Sequence, residues 1–307
     1  MSWFRCFIIT ARLRVLTGVL LGVVALFGGC SALRIGYRQA SDLMYWYLDG
    51  YVDFNAAQTP RVREALTQWL AWHRRTQLPD YAALLARAQT EVLADTTAAR
   101  ACEWQREVIL RADAAFDRAV PAVADFLLTV TPQQIQHVER RQAKANDEFR
   151  EEFLQPDPRK RAEMTLRRTI ERAESLYGKL SEAQQARLAE ALPLSPFDPE
   201  TWLAERRRRQ QEALDLMRKA GSDGSGREPV QAALRAYAQR MQLSPREPYR
   251  RYAERLNAYN CAFAAALHNG TSATQRRAAA DKLAGWEADA RSLAADVPRV
   301  PAADLPR

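Results

Sequence analysis

Beyond residue 40 the chain repeats its apolar residues every three to four positions, and runs that alternate apolar with polar are scarce. That is the pattern of amphipathic helices rather than strands. Ala, Leu, Arg, Glu and Gln dominate, all of them good helix formers, while Val and Ile are thin. Ser41 to Leu48 reads as a short helix closed by the turn signal Asp49-Gly50. Thr59-Pro60 places a capping residue before a proline suited to the first turn. The helix it opens runs to about Thr76 with Val62, Leu66, Trp69, Leu70 and His73 on one face, and Leu78-Pro79 breaks it. Further helices are predicted over Pro79 to Leu93, Thr97 to Leu128 (with Pro121 as a kink or break), Thr131 to Leu154, from the end of the Gln155-Pro156-Asp157-Pro158 loop to Tyr177, Ser181 to Leu192 and Asp198 to Ala220. Gly221 to Gly226 reads as a mobile Gly/Ser loop. Pro229 to Leu243, Glu247 to His268 and Ser272 to Ala295 complete the set, and the proline-bearing tail 297–307 is expected to lack structure. The fold class is therefore all-α, a multi-helix bundle of about ten helices. One helical body over residues 41–296 is favoured, with two helical subdomains meeting at the Gly/Ser loop as the alternative.

The N terminus follows a different rule. Arg5, Arg12 and Arg14 precede an apolar run from Val15 to Phe27, which ends in Gly28-Gly29-Cys30. A positive segment, a short apolar segment and small residues make a secretory leader. The apolar run is shorter than the roughly 20 residues a spanning helix needs. With Cys30 directly after the two glycines, the leader resembles that of bacterial lipoproteins, although Phe27 takes the position where Leu is usual and Leu26 lies one place early. That resemblance implies cleavage after residue 29, a thioether-linked diacylglycerol and an N-acyl group on Cys30, and an anchor in the bilayer. Ser31, where an Asp would favour inner-membrane retention, implies the periplasmic face of the outer membrane. Residues 30–40 form the tether, at most about 35 Å long when extended, so the body stays near the lipid.

The formal net charge of the 307 residues is +8, and removing the three leader arginines leaves +5. The candidate cationic patch is Arg206-Arg207-Arg208-Arg209, which could meet anionic headgroups or a protein partner. Its bland reading is a solvated helix face interleaved with Glu205 and Glu212. Nucleic acid is not expected in that compartment. Of four cysteines, Cys6 leaves with the leader and Cys30 takes lipid. Cys102 and Cys261 remain, and an oxidising compartment predicts a disulfide between them.

Catalytic signatures are sparse. His73, His137 and His268 lie in separate segments and form neither HxxxH nor HExxH, so no metal site is indicated. There is no GxSxG and no Gly-rich phosphate loop. Pairs such as Asp49 with Asp53, or Glu151 with Glu152, cannot be told from caps or surface acids. Tyr45, Trp46 and Tyr47, just after the tether, are candidates for a membrane- or partner-facing surface, because Trp and Tyr suit interfaces that are apolar at one end and wet at the other. Packing as core is the other reading.

Thr131 to Gln134, Ser181 to Gln184 and Ser272 to Gln275 have the spacing of a capping box. Val130-Thr131-Pro132-Gln133-Gln134 and Leu180-Ser181-Glu182-Ala183-Gln184 also resemble the LTxxQ motif of small periplasmic stress chaperones, with Val for Leu in one and Ser for Thr in the other. More extensive words, including Tyr45 to Phe54, Trp69 to Arg74, Phe153 to Asp157, Ser195 to Pro199 and Trp202 to Gln211, resemble a family of Gram-negative bacterial lipoproteins of unknown function. That resemblance implies a helical lipoprotein and brings no catalytic residues. The functional expectation is a non-catalytic envelope protein that binds another envelope protein or lipid. A chaperone-like client binder and a glycan- or lipid-acting hydrolase are the alternatives.

Overall fold

The structure, a computed structural model, describes residues 32–222 and 226–296. The leader, Cys30, part of the Gly/Ser loop and the tail from Val297 lie outside the described residues. Among the described residues the chain is all-α: α1 (Ala32–Arg38), α2 (Ala40–Val52), α3 (Thr59–Trp72), α4 (Leu78–Glu91), α5 (Ala98–Leu127), α6 (Pro132–Phe153), α7 (Pro158–Tyr177), α8 (Glu182–Ala191), α9 (Pro199–Ser222), α10 (Arg227–Gln242), α11 (Glu247–Asn269) and α12 (Ala273–Ala295). The described residues fall into two units, one ending at Ala40 and the other beginning at Ser41. Within the first, α1 makes the tether helical over Ala32–Arg38, which shortens it to about 1.5 Å per residue there.

Three boundaries differ from the sequence reading, each for a local reason. Asp49-Gly50 does not end its helix. The chain continues to Val52, and Asp53 makes the turn at φ 64° while the Asp49 carboxylate accepts from the Phe54 amide at 3.1 Å. Leu78-Pro79 does not break the helical path. A π segment, His73–Gln77, joins α3 to α4, with the Leu78 amide bonding the His73 carbonyl. The widened turn accommodates a ring that lacks an N–H and would otherwise press on the preceding turn. Pro121 lies inside an uninterrupted α5, where Val120 and Ala124 are fully buried on either side.

The thirty-residue α5 is the central strut, packed against α11, α10, α3 and α9, while α12 lies along α4 and α6 along α9. The largest core unites Val120, Ala124 and Leu127 of α5 with Ile135 and Val138 of α6, Leu214 and Met217 of α9, and Val230 and Leu234 of α10. Gly221 is required here. A Cβ at that position would come within 3.1 Å of the Val130 carbonyl oxygen. A second cluster is aromatic, with Phe149 stacked on Phe153 and Trp202 at 4.7 and 4.5 Å. A third gathers Ala173, Leu180 and Leu188 with Phe263 and Leu267.

All three capping boxes form. A fourth box, which the sequence reading lacked, is made by Asn55 and Gln58: the Gln58 amide donates to Asn55 Oδ1 at 3.0 Å and the Asn55 amide to Gln58 Oε1 at 3.1 Å. The four boxes meet in pairs. Gln58 Nε2 donates across to the Thr129 carbonyl (3.0 Å) and Gln134 Nε2 to the Asp53 carbonyl (2.9 Å), while the two side-chain amides bond each other at 2.6 and 3.2 Å. The same scheme recurs between Gln184 and Gln275. Gln184 Nε2 donates to the Gly270 carbonyl and Gln275 Nε2 to the Lys179 carbonyl, both at 2.9 Å, and the amides bond each other at 2.7 and 3.0 Å. In each case the acceptor is the carbonyl two residues before the partner's cap. The first clasp is buried and the second half-buried.

Cys102 of α5 and Cys261 of α11 are joined by a disulfide, their Cα atoms 5.3 Å apart across 159 residues of sequence. Removing it by the paired change Cys102→Ala and Cys261→Ala is expected to lower stability by about 5 kcal/mol on the chain-entropy relation, read from denaturant unfolding. The intact protein should also shift in mobility between reducing and non-reducing gels. Gln134→Leu removes the donor to the Asp53 carbonyl, the acceptor of the Thr131 amide and both bonds to the buried Gln58 amide, so we expect a loss of about 2–3 kcal/mol. Gln184→Leu, at the wetter clasp, should cost about 1 kcal/mol in the same measurement.

Candidate functional site

Four consecutive arginines on a helix point in four directions, because successive residues are about 100° apart. The Arg206–Arg209 run accordingly does not form one face. Arg207 is exposed, and Arg206 lies over the rings of Trp202 and Phe149 at 5.4 and 6.0 Å. Arg208 and Arg209 turn inward to Glu205, which is only 1% exposed. Glu205 Oε1 accepts from Arg208 Nη2 (2.9 Å), Arg209 Nε (3.1 Å) and the Ser244 hydroxyl (3.0 Å), and Oε2 accepts from Arg208 Nε (3.0 Å) and Arg246 Nη1 (3.3 Å). Glu212 bridges Arg208 and Arg240 at 2.9 and 2.5 Å. One carboxylate thus ties α9 to the turn after α10 and to the start of α11. Burial opposes its charge, yet the Arg208 and Ser244 hydrogen bonds and the Arg209 charge outweigh burial, and its pKa is lowered from the usual carboxylate value.

The other carboxylates with displaced pKa values move the same way. Glu91 is lowered chiefly by Arg100, Glu107 by Arg87, and Glu287 by Gln89 and then Arg291. A general acid needs the opposite shift. These groups are held ionised inside pairs.

The three histidines stay apart. Burial lowers His73 to about 4, and its ring stacks on Trp69 at 5.0 Å. His137 Nε2 lies 3.2 Å from the Gly50 carbonyl. His268 is buried, with Nε2 at 2.7 Å from the Ala94 carbonyl, so that nitrogen carries the proton and Nδ1 accepts from the Tyr177 hydroxyl at 2.9 Å. The ring is a fully satisfied core pin between α7, α11 and the turn after α4. Among the described residues no cluster of His, Cys, Asp and Glu is placed to hold a metal ion.

The aromatic triplet after the tether divides. Tyr45 turns inward, its hydroxyl 3.0 Å from Thr59 Oγ1, its ring 6.0 Å from Phe54 and 3.8 Å beneath the Arg63 guanidinium. Tyr47 is half-buried. Trp46 is 65% exposed, and Leu43, one turn earlier on the same helix, is 53% exposed. Asp49 and Asp53 are used in the local turn, and Glu152 pairs with Arg168 at 2.7 Å. No helix among the described residues is long and apolar enough to cross a membrane.

One pocket lies beside the second glutamine clasp. Its walls are Leu180, Leu188, Phe263 and Leu267, its volume is about 120 Å³, and Arg187 and Gly270 stand at its rim. The sequence reading did not find it, because its walls come from segments about 80 residues apart and share no motif. The Asn55-x-x-Gln58 box, by contrast, was visible as an Asx cap followed three residues later by Gln.

The Glu205 hub yields a test. Glu205→Gln leaves three guanidinium groups around a neutral amide, and we expect a loss of about 3 kcal/mol. Because the folded pKa lies below the unfolded 4.5, the unfolded chain binds the proton first as pH falls. The stabilisation is present above pH 4.5 and disappears as pH drops through the folded pKa. Urea midpoints measured from pH 7 to 3 should therefore show the gap between wild type and Glu205→Gln narrowing in acid.

No curated protein and no solved structure matches the chain. A family model described as a family of unknown function (DUF6279) matches residues 50–262, which take in α3 to α10, the Glu205 hub and both disulfide cysteines, and the chain belongs to that family.

Proposed function

We propose that this protein is a lipid-anchored envelope lipoprotein, held at the periplasmic face of the outer membrane through acylated Cys30. Its helical body binds another envelope protein or lipid without performing chemistry. The observation that carries the anchor is the N-terminal order of positive segment, short apolar run and Gly28-Gly29-Cys30. Exposed Leu43 and Trp46 on α2, so soon after the tether, support a face that rests against the headgroup region. The non-catalytic reading is supported by the downward pKa shifts of Glu91, Glu107, Glu205 and Glu287, which leave them as structural partners of cations or amides. A pocket with room for one side chain favours a specific partner over the broad apolar groove that unfolded clients would need.

Metabolic palmitate labelling is expected to mark the wild-type chain, and Cys30→Ser should lose the label and move to the soluble fraction. An unlabelled wild type that fractionates like Cys30→Ser would remove the anchor. Trp46→Ala should change stability by less than about 0.5 kcal/mol while weakening contact with liposomes. Unchanged liposome contact would assign Trp46 to a protein partner, and crosslinking in intact cells then identifies the bound species.

A further inference from the structure

The pocket beside the second clasp is apolar inside and cationic at its lip. Leu180, Leu188 of α8, and Phe263 and Leu267 of α11 line it. Its volume of about 120 Å³ is slightly below that of the engineered cavity, roughly 150 Å³, that holds benzene. It therefore has room for about one side chain. Arg187 is exposed and makes no ion pair or hydrogen bond among the described residues. Its guanidinium carbon sits 3.8 Å from where a Cβ on Gly270 would be, over the glycine at the pocket mouth. The clasp holds this lip in place, since the Gly270 carbonyl is engaged by Gln184.

An apolar slot for one side chain next to an uncompensated guanidinium matches a ligand whose apolar group and carboxylate share one terminal residue. We propose that this pocket binds the C terminus of a polypeptide ending in a large apolar residue, with the side chain among Leu188, Phe263 and Leu267 and the α-carboxylate on Arg187. Arginine suits the role because its planar fork matches a carboxylate and stays charged. The site is independent of the lipid anchor and requires no acyl group on Cys30.

The test uses the full chain in lipid nanodiscs and a fluorescein-labelled peptide ending in Leu-Phe, supplied as the free acid and as the amide, read by anisotropy. The free acid should bind more tightly than the amide, by up to about fivefold, the size expected for an exposed charge pair. Arg187→Gln should erase that preference. Ala266 is exposed on the pocket wall, so Ala266→Leu should fill the slot and abolish binding of both peptides with an unchanged melting temperature. Equal binding of acid and amide, a preference that survives Arg187→Gln, or binding that survives Ala266→Leu would each overturn the proposal. Binding of 3-phenylpropanoate without binding of the peptide would overturn the assignment to a polypeptide terminus. The same affinities in Cys30→Ser separate this site from the anchor.

Discussion

Helix starts leave amide donors without intrahelical partners, and this chain solves that problem twice with the same device. A glutamine three residues after each capping side chain first satisfies its own cap, then uses its remaining donors on the facing cap's loop and on the facing glutamine. A local capping box thereby becomes a long-range connection, closing one stretch of chain between Gln58 and Gln134 and another between Gln184 and Gln275. The geometry is demanding, because each amide has one acceptor and two donors and all are committed. Loosening one member frees several groups at once, which makes the clasps stricter constraints than apolar contacts of similar size.

The two closed stretches are then interleaved. Cys102 lies in the first and Cys261 in the second. The His268 ring donates to the Ala94 carbonyl across the same divide, and α12 lies along α4 with Gln89 donating to Glu287 at 2.5 Å. Charge is used in the same connecting role. Within the Arg206–Arg209 run, Arg208 and Arg209 turn inward to Glu205, while the Arg100 pair with Glu91 stays partly exposed. A buried carboxylate surrounded by three guanidinium groups fixes the register of α9 against the turn into α11 more than it adds net stability.

Helix positions were legible because period and punctuation agree in this sequence. Thr131, Ser181 and Ser272 start their helices where the boxes place them, and Asp157 and Asp198 cap theirs. Gly50 and Pro79 are stop signals overridden by local devices, the Asp49 side chain that caps the turn at Asp53 and a π turn respectively. Pro121 does not break its helix. The Cys102–Cys261 pair was legible from compartment logic, not from geometry. What no local pattern carries is which capping glutamines face each other, which of four consecutive arginines points inward, or that Leu180 and Phe263 share a pocket. Those facts depend on separations of about 80 residues and arise only once the helices are packed.

The two clasps also divide stability from access. Gln58 and Gln134 are about 5% exposed and sit on the largest core, so their neighbourhood has no room for another molecule. Gln184 and Gln275 are half-buried beside the third cluster, where Phe263 and Leu267 stay partly exposed and line the pocket. The clasp beneath it keeps that slot from collapsing by holding Gly270 and Lys179 at fixed separation. A rigid rim around an incompletely covered apolar surface is the condition under which a small pocket binds without reorganisation. In this chain that condition is met at the second clasp and not at the first.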